Sequence, residues 1–178
     1  MCGGGPIWLV GMMGAGKSSV GRVLAARLSR AFVDTDVEVE RVAGCSVAEI
    51  FASEGEPAFR QRERAAVAAC AASEAVVALG GGAVAEPEIA QIVGAAGTSV
   101  YLRARPETLL DRVGDAEARP LLAGLDGAGR LARVSELLSA REPAYCGARE
   151  RVDTDDRSVD EVAAEVVSRL RLERAGMS

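Results

Sequence analysis

Apolar residues in this chain follow two alternating rhythms. Short apolar runs at residues 7–10, 31–33, 75–79 and 98–102, with a fifth around 151–153, have the length of buried strands. Between them the apolar positions are spaced for helices. Val20, Val23, Leu24 and Leu28 recur with Arg22, Arg27 and Arg30 among the other positions, and Val162, Val166 and Leu170 line one face of a final helix. Helix starts are legible as capping boxes at Ser46 with Glu49 and at Ser158 with Glu161. Pro57 suits the first turn of a helix running to about residue 72. Strand and helix in alternation predict a parallel sheet covered on both faces. The one irregular stretch runs from 114 to 129, punctuated by Gly114, Gly124, Gly127 and Gly129. A segment of that kind is either a mobile lid or a loose surface loop; the lid is the reading carried forward.

The first strand runs into Gly11-Met12-Met13-Gly14-Ala15-Gly16-Lys17-Ser18-Ser19, and the first helix follows. This fits G-x-x-x-x-G-K-[ST], in which glycines let successive N–H groups turn toward a nucleotide's β- and γ-phosphates. Lys17 is the chain's single lysine among 21 basic residues. Arginine stands everywhere else, so lysine is kept where a compact ammonium suits a phosphate better than a planar fork. Gly14, Ala15, Gly16, Lys17, Ser18 and Ser19 are therefore candidate nucleotide contacts. Ser18 is a candidate Mg²⁺ ligand, and the helix dipole points its positive end at the anion.

Composition narrows the rest. A chain of 178 residues is read as one domain, 1–178, and with aromatics at 3% its core is built from Val, Leu, Ile and Ala. A net charge of −5 argues against a general nucleic-acid binder. Cys2, Cys45, Cys70 and Cys146 form no CxxC pair and read as reduced thiols of a cytoplasmic protein. No apolar run approaches a membrane span, and residues 1–6 lack the features of a secretion signal. The absence of histidine excludes Ser-His-Asp and Cys-His chemistry and the common histidine metal sites.

Further candidates sit at strand ends. Asp34 and Asp36 follow the second strand, where carboxylates at i and i+2 project to one side. Asp34 is the candidate metal-side carboxylate and Asp36 the candidate partner of a substrate hydroxyl; the other reading of the pair is an Asp-rich turn capping the next helix. Arg60 and Glu63 are spaced to pair and leave a fixed guanidinium fork for an anion. Gly80, Gly81 and Gly82 end the third strand and let a ligand approach the backbone, or simply make a sharp turn. Arg119, in the lid segment, and Arg141 are cations of the kind that meet developing charge in phosphoryl transfer.

In order along the chain, these motifs resemble shikimate kinase. The match takes in the glycine loop, Phe32-Val33-Asp34-Thr35-Asp36, Ile50-Phe51, Gly55-Glu56, Phe59-Arg60-Gln61-Arg62-Glu63, Leu79-Gly80-Gly81-Gly82-Ala83-Val84, Arg119-Pro120-Leu121-Leu122 and Arg141-Glu142-Pro143-Ala144-Tyr145. The resemblance implies a three-layer α/β/α P-loop fold, with a five-stranded parallel sheet in the order 2-3-1-4-5. It also implies a substrate-binding segment at about 34–64 and a mobile lid at about 114–129. The implied reaction is transfer of the γ-phosphoryl group of ATP to the 3-hydroxyl of shikimate, with Mg²⁺, by a monomer that engages neither nucleic acid nor membrane. Carried onto this sequence, Lys17, Asp36 and Arg119 are catalytic. Asp36, Arg60, Gly81, Gly82 and Arg141 hold shikimate, and Ser18 and Asp34 serve the metal. Arg112, Arg119 and Arg157 join the glycine loop around the nucleotide. A gluconate kinase is the nearest rival, but its second motif usually carries a histidine, which this chain lacks. A GTPase's guanine-reading motif needs a second lysine.

Overall fold

The computed structural model describes residues 5–114 and 121–176. Five strands form one parallel sheet: β1 (Ile7–Val10), β2 (Phe32–Asp34), β3 (Val76–Ala78), β4 (Thr98–Arg103) and β5 (Glu150–Asp153), in the spatial order β2-β3-β1-β4-β5. The fold is the expected three-layer α/β/α arrangement. All four residues of β1 are buried, as befits a central strand with both faces covered. Eight α-helices complete the described fold: α1 (Lys17–Leu28), α2 (Thr35–Ala43), α3 (Val47–Ser53), α4 (Gly55–Cys70), α5 (Pro87–Ala95), α6 (Pro106–Arg112), α7 (Gly127–Tyr145) and α8 (Val159–Gly176). A short 3₁₀ turn, Ala83–Ala85, follows the three glycines.

Local chemistry accounts for several boundaries. The Ser46 hydroxyl accepts from the N–H of Glu49, and the Glu49 carboxylate accepts from the N–H of Ser46, so both halves of the capping box that opens α3 are made. The same exchange between Ser158 and Glu161 opens α8. Helix α4 begins at Gly55, two residues before Pro57, so the proline lies in the first turn where its missing N–H costs nothing. Helix α7 begins at Gly127, where the Asp126 carboxylate accepts from the N–H of Gly129. The last three residues of the expected 114–129 lid segment are thus helical. Arg119 lies outside the described residues.

Two cores result. The large one surrounds the sheet and takes in Trp8, Leu9, Leu24, Leu102 and Leu109. A small satellite of Val39, Ile50 and Phe59 lies between α2, α3 and α4, with Phe51 tilted against Phe59 at 4.9 Å between ring centres. Among the described residues no helix is long and apolar enough to cross a membrane.

Candidate active site

Beyond the carboxyl ends of the strands lies a cleft of ≈ 780 Å³, the position where open α/β sheets take ligands. The glycine loop forms its floor. Gly14 has φ 79°, and a Cβ there would lie 2.2 Å from the Leu109 carbonyl oxygen, so conformation and packing both demand glycine. Gly16, at φ 90°, opens α1 without a capping side chain, which leaves the helix's first N–H groups directed at the cleft. The Lys17 ammonium donates to the carbonyls of Gly11 (2.7 Å) and Met12 (2.9 Å), folded along its own loop.

The Ser18 hydroxyl donates to the Asp34 carboxylate at 2.6 Å. Two hard oxygen donors thereby adjoin the phosphate loop, a set that fits Mg²⁺, which takes one or two protein oxygens and completes its octahedron with phosphate and water. The placement of the aspartates differs from the strand picture. Strand β2 ends at Asp34 and α2 begins at Thr35, so Asp36 sits in a helical first turn rather than on a strand. Asp34 accepts from the N–H of Asp36 and caps α2 while its other oxygen holds Ser18. The capping turn and the paired carboxylates are one structure, and both side chains line the cleft. Between them, buried Thr35 donates to the Ala78 carbonyl and accepts from the N–H of Gly80, which fixes the end of β3 to the start of α2.

The three glycines lie between two arginines. A Cβ on Gly82 would fall 2.7 Å from the Arg60 guanidinium, and one on Gly81 would fall 3.7 Å from that of Arg141 and 3.5 Å from the Met13 nitrogen. Arg60 is held by Glu63 at 2.6 Å and Glu56 at 3.0 Å. Glu63 is fully buried. Burial pushes its carboxyl above the usual carboxylate range, with Arg60 opposing the shift and Asp36 adding to it. A Cβ on Gly80 would sit 2.3 Å from Glu63 Oε1 and 2.7 Å from Asp36 Oδ1, so these two oxygens are no more than about 5 Å apart. Gly80 is required here to make room for two carboxylates.

The far end of the cleft is lined by Arg112, Thr154, Arg157, Val159 and Val162. Arg112 donates to the Thr154 hydroxyl (2.9 Å) and carbonyl (2.7 Å), while Arg157 is tied to the Asp153 carbonyl and to Glu165. Gly14 through Ser19, Asp34, Asp36, Gly81, Arg112 and Arg157 therefore share one cavity; Arg141 lies against Gly81, whereas Arg60 lies against Gly82 and lines a separate small pocket with Arg64 and Glu86. Thr154, Thr35 and the buried position of Glu63 were not singled out from sequence. A threonine carries no motif signal, and whether Glu63 faces solvent or core depends on how α4 rolls against α2.

The family model described as Shikimate kinase matches residues 13–171. A shikimate kinase from Symbiobacterium thermophilum is 48% identical over 169 residues, covering 93% of this chain and 95% of that protein. Among solved structures, a shikimate kinase from Acinetobacter baumannii in complex with shikimate superposes with a TM-score of 0.89 at 34% identity, covering 95% of this chain and 94% of that one. A gluconokinase from Sinorhizobium meliloti, at 18% identity and a TM-score of 0.62, is similar in fold alone.

Proposed function

The chain belongs to the shikimate kinase family, and from that premise we propose how its cleft carries out the transfer of the ATP γ-phosphoryl group to the 3-hydroxyl of shikimate. The observation that carries this assignment is that two successive glycines beside the phosphate loop each lie against a guanidinium, Gly81 against Arg141 and Gly82 against Arg60. Shikimate is a small anionic triol. Arg60 and Arg141 take its carboxylate, since a planar fork matches two oxygens. The Gly81–Gly82 backbone lies along the ring, and Asp36 accepts hydrogen bonds from the hydroxyls.

The nucleotide lies across the rest of the cleft. The loop amides and Lys17 hold the β- and γ-phosphates, Ser19 adds a hydroxyl, and Arg112 and Arg157 flank the base. Arg119, outside the described residues, is the further cation this reading assigns to the transferring group. Ser18 and Asp34 would hold Mg²⁺, which supplies neutralisation of phosphate charge. The shikimate 3-oxygen forms a bond to the γ-phosphorus as the bond to the β–γ bridging oxygen breaks. The hydroxyl proton passes to Asp36, and ADP leaves. Because the transition state is loose, positioning and charge complementarity supply most of the acceleration and no strong base is needed. The free thiols of Cys45, Cys70 and Cys146 suit a reducing compartment, here the cytoplasm.

The test is ADP release by purified protein with Mg-ATP, comparing shikimate, gluconate and a panel of nucleoside monophosphates. Turnover is expected with shikimate alone. Turnover with gluconate or a nucleotide instead would keep the phosphate loop and overturn the Arg60–Arg141 carboxylate pocket.

A further inference from the structure

Tyr145, the last residue of α7, is fully buried at the back of the pocket and touches neither loop by sequence proximity. Its hydroxyl donates to the carbonyl oxygen of Gly81 and lies 3.7 Å from the sulfur of Met12 in the glycine loop. Arg141 stands one turn earlier on the same face of α7. The guanidinium of Arg141 in turn rests 3.9 Å from the same Met12 sulfur. One hydroxyl therefore meets a helix, the glycine strand-end and the phosphate loop at a single point.

The consequence follows from peptide geometry. The Gly81 carbonyl and the Gly82 N–H belong to one planar trans unit and point in opposite directions. Glycines resist rotation of that unit less than any other residue, so an external anchor is needed to fix it. Tyr145 supplies the anchor from α7. We propose that Tyr145 is a positioning residue for the acid substrate: by fixing the Gly81 carbonyl to α7, the helix that carries Arg141, it sets the spacing of the backbone and the cation that receive shikimate. The proposal rests on the reading of Gly81, Gly82 and Arg141 as substrate contacts.

The molecule contains its own control. Tyr101, on β4, stacks on Tyr145 with ring centres 5.2 Å apart, is equally buried, and its hydroxyl has no hydrogen-bond partner among the described residues. Removing either hydroxyl as phenylalanine keeps the packing, but only one of the two is attached to the pocket. Steady-state kinetics of Tyr145→Phe, Tyr101→Phe and Arg141→Gln separate the possibilities. Tyr145→Phe is expected to raise the KM for shikimate about tenfold while the KM for ATP stays within twofold. Tyr101→Phe should leave both within twofold of the parent, and Arg141→Gln should raise the shikimate KM more than Tyr145→Phe does. If Tyr145→Phe behaves like Tyr101→Phe, or raises both KM values together, Tyr145 is a packing residue and the proposal fails. An unchanged shikimate KM in Arg141→Gln would instead overturn the pocket reading beneath it.

Discussion

Lys17 shows how far one residue's identity constrains the site. Its ammonium already lies within hydrogen-bond reach of two carbonyls of its own loop. A guanidinium is planar and longer, and cannot occupy that fold of the loop while keeping the phosphates' approach open. Lys17→Arg should therefore lower kcat at least 100-fold with the circular-dichroism spectrum unchanged; a near-normal kcat would mean that charge alone is needed there. Glu63 poses a different question, because burial raises its pKa while Arg60 pulls against that shift. A carboxyl whose folded pKa is raised contributes stability that is complete below its unfolded value, about pH 4, and is lost as pH rises through the folded value. The melting temperature of the parent relative to Glu63→Gln should accordingly fall as pH rises from about 4 toward neutrality. A difference that grew with pH would show that the Arg60 ion pair outweighs burial. These two residues also mark the limit of sequence reading. Lys17 could be picked out because composition made it unique, and the Arg60–Glu63 pair was legible from spacing. That Glu63 lies against Asp36 and Gly80 was not, because that contact needs the packing of α4 on α2.

Elements of the fold divide into those that shape the site and those that merely support it, and the glycines after β3 belong to the first kind. Gly80 has ordinary backbone angles, so its requirement is one of space: a methyl group would enter between the Glu63 and Asp36 oxygens. Gly80→Ala should cost more than a tenfold loss of kcat/KM for shikimate as α2 and α4 move apart, with nucleotide affinity retained, measured by ADP binding alongside turnover. The capping box of α3, at the rim of the same cleft, tests how local that requirement is. Ser46→Ala removes a hydroxyl that satisfies the N–H of Glu49, and should cost about 1 kcal/mol of stability with kinetics within twofold of the parent. Equal kinetic damage from both variants would mean that α2–α4 respond as one rigid piece. Element boundaries were legible to within a residue or two where caps and prolines set them, as at Ser46, Pro57 and Ser158. The reading of Asp34 and Asp36 as strand-end partners missed that the chain turns helical at Thr35. A three-residue edge strand leaves too short a pattern to tell the last strand residue from the first helical one.

At the scale of the molecule, the sheet order puts the phosphate loop at the centre, with the proposed substrate and nucleotide ends of the cleft on opposite sides of it. The nucleotide end is backed by the large core through α1, α6 and α8, whereas α2 and α3 rest on the small core of Val39, Ile50 and Phe59, and α4 reaches the large core through Val67 and Cys70. A cluster of three buried side chains cannot stabilise its helices as strongly as the continuous core under β1 and β4 does. Opening of α2–α3 should therefore precede global unfolding, and their amides should exchange faster than those of β1 and β4 by native-state hydrogen exchange. Ligands then become regional probes. If Asp36 and Arg60 hold shikimate as proposed, it should slow exchange chiefly across α2–α4, while ADP alone should slow the glycine loop and α1 and leave α3 near its unliganded rate. Ligand that binds only the folded region stabilises it by about 2.7 kcal/mol at 100 times its Kd, so the slowing at saturation should reach about 100-fold where opening and binding exclude each other. Uniform protection of the whole chain by either ligand would mean that the small core opens only with the large one. In that case the substrate side would have no independent motion with which to close over shikimate.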